Sequence, residues 1–327
     1  MKRHFSVHRE AWAAAAPFRI TGRTYLEFNT VVVELGVDAH VGRGEAMPIH
    51  YLGDSVEAMC ESLEGIRAEL EAGADREALL RLLPPGGARN AVDAALWDLE
   101  ARTQGRPAWE LAQTGAKPVE TVYTIGIESE PEAMGEKAAN APYPLLKIKL
   151  DGDRPVERVA AIRRRRPDAR LVVDANQGWT FEQLKAVAAP LKDLGVLFIE
   201  QPLPRGHDAM LASYTAPLLL CADESCQHLE ELEPVAERYQ MINIKLDKCG
   251  GLTAGLALVK AARTRKMGVM VGCMGGTSLG VAPAFLLAQL CDFVDIDAPL
   301  LLKADRPNGL EYRQGQVSIP AGCCWGR

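Results

Sequence analysis

A chain of 327 residues with 48% hydrophobic content can bury one large core and still supply a smaller domain. Its net charge of −6 argues against a nucleic-acid surface, and no apolar stretch is long enough to span a membrane. The size is that of an ordinary enzyme, and a homo-oligomeric assembly is compatible with it.

The opening MKRHFSVHREAWAAAAPF has the outline of a signal peptide, but Arg9 and Glu10 interrupt it and too few apolar residues follow, so it is read as structure. His4 and His8 have metal-like spacing only in a helix, and the alternation around them predicts a strand. Residues 1 to about 50 read as strands, with the β-branched run Val31 to Leu35 and turn signals at 42–48. Ser55 is expected to cap a helix running through Ala72. Asn90 is expected to cap a second, whose apolar face is Val92, Ala95, Leu96 and Leu99 and which ends near Thr103. Residues 1–115 are therefore expected to form an α+β capping domain.

From Thr121 strand and helix alternate strictly. The predicted strands are Val122 to Ile127, Leu145 to Leu150, Leu171 to Asp174, Leu197 to Glu200, Leu218 to Asp223, Met241 to Leu246, Val269 to Cys273 and Phe293 to Asp297. Seven helices fit the gaps, for example 182–193 and 256–265. The basic run Arg163 to Arg166 reads as the solvated last turn of one of them, ended by Pro167. No room remains for an eighth helix before PNGL at 307–310. The prediction is an α/β fold: a modified (β/α)7β barrel of the TIM type over 116–305, with residues 306–327 returning to the cap. Cap loops at about 18–28 and 48–55 are expected over the barrel mouth. The eight cysteines lack zinc-ligand spacing and several, such as Cys221, Cys273 and Cys291, lie in apolar runs. Cys323 and Cys324 are too close for an unstrained disulfide, so reduced thiols and a cytoplasmic location are expected.

Charged residues close the barrel strands at intervals of about 22 to 26 residues: Lys147 and Lys149, Asp174, Glu200, Asp223, Lys245. Strand C-termini carry the active sites of this fold. Any one of the acids could merely solvate a strand end. Three acids from successive strands, each behind an apolar run, would repel strongly without a cation, and hard oxygen ligands suit Mg²⁺. Lys147 and Lys149 are two residues apart and point the same way, while Lys245 comes from four strands farther round. Inward lysines are expected to have lowered pKa values, fit for taking a carbon-bound proton.

The KxK, Asp, Glu, Asp and IKLDKCGG series resembles the muconate-lactonizing subgroup of the enolase superfamily, a superfamily of lysine or histidine bases working with Mg²⁺. The resemblance covers nearly the whole chain. It implies that Asp174, Glu200 and Asp223 bind one Mg²⁺, that Lys149 and Lys245 are the acid/base pair, and that Lys147 supports the enolate charge. LPPGGARNAVDAALWDLEART, CADESC and NIKLDKCGGLT are similar to the dipeptide epimerases of murein peptide recycling, which implies epimerisation of L-Ala-D/L-Glu at its C-terminal residue. In those enzymes a DxD pair holds the free amino terminus, and Asp295 and Asp297 match it. Arg23 matches an arginine that meets the glutamate side chain, with Arg19 as an alternative in the same loop.

Where many relatives carry an acid after the seventh strand, this chain has Gly275, Gly276 and Thr277. The glycines read either as a phosphate cradle or, as no lysine or arginine accompanies them, as a close approach to a peptide substrate. The rival activities are epimerisation of another dipeptide, o-succinylbenzoate synthesis, N-acyl amino acid racemisation, muconate cycloisomerisation and an idle barrel used for binding.

Overall fold

The computed structural model describes residues 3–327; Met1 and Lys2 of the signal-like opening lie outside the described residues. The residues that follow them form strand His4–Ile20, which pairs antiparallel with Arg23–Val37, and that strand pairs with His40–Ala46. Val31, Val33 and Leu35 bury one face of this sheet against helices that include Val56–Gly65 and Gly87–Gln104. Ser55 caps the first of these, accepting from Ala58 N at 3.1 Å, as its sequence position predicts. The helix then breaks at Ile66 and resumes as Arg67–Glu71.

Asn90 is not a cap. The helix begins at Gly87, and Asn90 N already donates to Gly86 O inside the first turn. The Asn90 side chain instead donates to Asp247 Oδ1 at 3.2 Å, tying the cap to the loop after the sixth barrel strand. Nearby, Asp93 leaves Gly251, at φ 113°, no room for a Cβ, which would lie 2.5 Å from the Asp93 carboxylate. The CGG of IKLDKCGG is therefore a docking point for the cap helix.

The eight predicted barrel strands are all present: Tyr123–Ile125, Leu145–Lys149, Arg170–Asp174, Val196–Glu200, Leu219–Ala222, Met241–Lys245, Gly268–Gly272 and Phe293–Asp295, parallel and in sequence order. The ring closes where Val122 N donates to Val294 O at 2.9 Å and Ile296 N to Thr121 Oγ1 at 3.1 Å. Helices Phe181–Asp193 and Leu252–Thr264 occupy predicted gaps, the first with a Thr180/Gln183 capping box. The fourth gap holds only the 3-10 turn Ala209–Ser213. Pro202, Pro204, Gly206 and Pro217 confine any helix there to 207–216.

Arg163 and Arg166 differ from the solvated reading of their run: Arg163 donates to Ala169 O at 2.6 Å and Arg166 to Ala141 O at 2.5 Å, fastening neighbouring helix and strand ends. After residue 305 the chain divides its contacts. Glu311–Arg313 and Gln316–Ser318 form a hairpin on Val119–Glu120, whereas Trp325 Nε1 reaches Ala94 O in the cap at 3.0 Å. All eight cysteines are free, and no described helix is long and apolar enough to cross a membrane.

Candidate active site

The barrel interior is built in layers. Val122, Leu145, Val172, Phe198, Cys221, Met241, Met270 and Phe293, one from each strand region, form an apolar plug. Side chains two residues on face the same way. That rule raises a second ring directly above the plug: Thr124, Lys147, Asp174, Glu200, Asp223, Asn243, Gly272 and Asp295. Lys149 and Lys245 stand two residues higher again, at 8% and 7% exposure.

Lys147 is central. Its Nζ lies 2.7 Å from Asp295 Oδ2, 2.8 Å from Glu200 Oε2 and 3.1 Å from Asp174 Oδ2. Lys149 Nζ is 2.7 Å from Asp174 Oδ2, and Lys245 Nζ is 2.7 Å from Asp223 Oδ2. The expectation of lowered lysine pKa values is reversed for two of the three. Burial pulls Lys147 down, but Asp295, Glu200 and Asp174 hold it well above the usual lysine range. For Lys245 burial is likewise outweighed, chiefly by Asp223.

One ligand oxygen from each of Asp174, Glu200 and Asp223 lies within 4.8 Å of the other two, and all three side chains are buried. Burial, then Asp174, pushes Glu200 up to about 7. Burial opposes ionisation of Asp223 too, but Lys245 and Lys248 bring it well below the usual carboxylate range. Glu200 Oε2 has no hydrogen-bond partner and meets only the Lys147 ammonium, as an ion pair at 2.8 Å. A cluster of hard, buried oxygens, one of them without a hydrogen-bond partner, fits a divalent ion, which these three acids would hold.

Asp297 lies just past the eighth strand, at the start of the 3-10 turn Ala298–Leu301, so the DxD pair is not one continuous strand. Both aspartates line the mouth, but Asp295 is engaged by Lys147, while Asp297 Oδ2 accepts from Thr124 N at 2.7 Å. Burial, then Asp295, pushes Asp297 up to about 7. The cap wall of the mouth is Phe18, Ile20, Tyr25, Phe28, Met47 and Tyr51; the first four lie on the strands of a hairpin rather than in the expected loop at 18–28, and Met47 lies just before the expected 48–55 segment that holds Tyr51. Arg23 is exposed at the cap hairpin tip, its guanidinium 4.8 Å over the Tyr25 ring, rather than in the lining. Arg19 is also exposed, and its carbonyl accepts from Ile127 N.

Gly275, after the seventh strand, lines the mouth and is also packed against the cap. A Cβ on Gly275 would lie 2.0 Å from Phe28 Cδ1, and Thr277 N and Oγ1 donate to Glu45 at 2.7 and 2.6 Å. Arg306 binds the same Glu45 and also Glu10, so this loop is the second joint between cap and barrel.

Sequence reading passed over Glu224, Asn176, Asn243 and Lys248. Glu224 and Asn176 line the mouth, and burial, then Asp223, pushes Glu224 up to about 8. Asn243 could have been found as the residue two before Lys245 on an inward-facing strand.

Residues 132–326 match the family model of the enolase C-terminal domain-like fold, and residues 2–112 match the N-terminal domain of mandelate racemase / muconate lactonizing enzyme. The chain belongs to this enolase-superfamily family. Within it, the chain is 41% identical over 321 residues to an L-Ala-D/L-Glu epimerase of Escherichia coli, covering 97% of this chain and 100% of that one. It is 39% identical to an N-acetyl-D-glutamate racemase of Pseudoalteromonas sp, covering 90% and 95%. A crystal structure of an enolase family member from Agrobacterium tumefaciens with homology to dipeptide epimerases, with bound sodium and L-Ala-L-Glu, superposes with a TM-score of 0.97 at 41% identity, covering 99% of this chain and 100% of that one. The family's two-part layout, cap and barrel, is the one seen here.

Proposed function

We propose that this enzyme is an isomerase that epimerises dipeptides at the C-terminal residue by proton transfer between two lysines, with L-Ala-D/L-Glu as substrate and Mg²⁺ as cofactor. The supporting observation is that Lys149 and Lys245 hang from the second and sixth barrel strands, each 2.7 Å from a different aspartate of one acid cluster. A substrate α-carbon between them meets one amine on each face. One lysine takes the proton and the other returns it on the opposite side, which inverts the centre.

Asp174, Glu200 and Asp223 would hold the ion, which when bound supplies positive charge beside the substrate carboxylate as that group gains negative charge. Lys147 adds a second, fixed positive charge. Asp295 and Asp297 would receive the substrate ammonium, and Arg23, at the rim beside Tyr25, would meet the glutamate side chain. Murein peptide recycling in the cytoplasm accords with this substrate and with the eight free thiols.

The deciding experiment incubates each stereoisomer in D₂O with Lys149→Ala and Lys245→Ala. Neither variant should epimerise, and each should exchange the α-hydrogen of one stereoisomer only. Normal epimerisation by either variant removes that lysine from the mechanism, and absence of metal-dependent exchange in the unaltered protein leaves an idle barrel. A second reading, racemisation of an N-acylated amino acid, is favoured by the engagement of Asp295 with Lys147, which leaves less carboxylate for an ammonium. Faster turnover of N-acetylglutamate than of the dipeptide would establish it.

A further inference from the structure

Asn243 lies on the sixth strand two residues before Lys245 and is fully buried. Its Nδ2 donates to Glu200 Oε1 at 2.8 Å, while its own Oδ1 has no hydrogen-bond partner. The neighbouring strand makes room for it: a Cβ on Gly272 would lie 2.7 Å from Asn243 Oδ1 and 2.9 Å from Nδ2. A buried amide that leaves its carbonyl unbonded loses free energy, so the single donation to Glu200 is what its placement achieves.

The same division recurs at the other two acids. Asp174 Oδ1 accepts from Asn176 N at 2.8 Å, and Asp223 Oδ1 from Lys248 at 2.7 Å. In each carboxylate one oxygen is held by a group other than the three inward lysines, and the second oxygen is met by one of those lysines. At Glu200 the tie is a neutral side chain, and the other oxygen, Oε2, has no hydrogen-bond partner and meets only the Lys147 ammonium, at 2.8 Å.

We infer that Asn243 is a positioning residue that restricts Glu200 to ligation through one oxygen and thereby sets a preference for Mg²⁺ over Ca²⁺; this rests on the metal-site reading proposed above. Mg²⁺ demands near-octahedral geometry at short distance, whereas Ca²⁺ accepts six to eight oxygens and readily takes both oxygens of a carboxylate. A carboxylate with one oxygen held by an amide cannot swing both onto an ion. Released, it can.

The test is calorimetric titration of the metal-stripped full chain and of Asn243→Leu with Mg²⁺ and with Ca²⁺, which reads ion binding without reference to turnover. Partners of this kind typically contribute about 10- to 100-fold in metal affinity. Mg²⁺ affinity should fall about tenfold or more while Ca²⁺ affinity falls less or rises, so the ratio between them shrinks. Equal losses for both ions, or no loss, would overturn the inference, because a merely structural role moves both alike. Asn243→Ala, which only removes atoms, gives the same reading if the leucine variant does not fold. Failure of the unaltered protein to bind either ion would sink the metal site itself, a result distinct from an unchanged ratio.

Discussion

Lys147 and Asp295 meet at 2.7 Å across the seam of the barrel, joining the acid cluster to the aspartates at the mouth through one ammonium group. Lys147 is 1% exposed and also contacts Glu200 and Asp174. Its removal leaves several buried carboxylates without their shared counter-charge. Breaking a buried pair typically costs about 3–5 kcal/mol. Urea unfolding of Lys147→Met in chelator should show a loss of that order, and turnover should fall even at saturating Mg²⁺. Unchanged stability in chelator would mean that Lys147 does not carry the charge balance assigned to it.

Asp297 should give the mouth its pH dependence. Its native value of about 7 lies above the roughly 3.9 expected unfolded, so its contribution favours folding below about pH 4 and is lost as pH rises through 7. Activity runs the opposite way, because an ammonium group is bound by the carboxylate form. For free dipeptides kcat/KM should rise through about pH 7, and Asp297→Asn should flatten that limb and lower the plateau by about tenfold to a hundredfold, the equivalent of one charge-assisted hydrogen bond. A pH profile identical in the variant would assign the limb to another group.

Metal binding should be visible as stability. At about a hundred times its Kd, an ion that binds only the native state adds about 2.7 kcal/mol. Thermal or urea unfolding with and without Mg²⁺ should show that gain in the unaltered protein and little of it in Glu200→Gln. An equal gain in both would place the ion elsewhere.

Gly275→Ala probes the joint between cap and barrel. The added methyl would have to displace the Phe28 ring, and overpacking of this sort costs about 1–3 kcal/mol. Because Phe28 stacks on Tyr25 at 5.3 Å, the displacement should also raise KM, with kcat changed less. A variant with normal KM and normal stability would show that the loop accommodates the methyl without moving Phe28.

The strand order and the charged members of the inner ring were legible because a lysine or acid after an apolar run stands out against a buried strand. Asn243 and Thr124 occupy equivalent inward positions but carry no charge, so a period-two pattern alone does not distinguish them from core. The missing fourth helix was legible in principle through its prolines, and strand spacing concealed it. Asn90 looked like a cap because it precedes an apolar face, whereas its partner Asp247 lies far along the chain. Local sequence carries no signal for such a contact. The same holds for the glycines at 275 and 276, whose close neighbours Phe28 and Glu45 belong to the cap.

The mouth is walled by the cap and floored by the barrel, and the two contributions share no side chain. Phe18, Tyr25, Met47 and Tyr51 approach from above, while Lys149 and Lys245 are anchored on aspartates beneath them. Substitutions in the wall can alter the shape that a bound molecule must match without disturbing the spacing of the two lysines. Such a molecule can change its diet while keeping its trade.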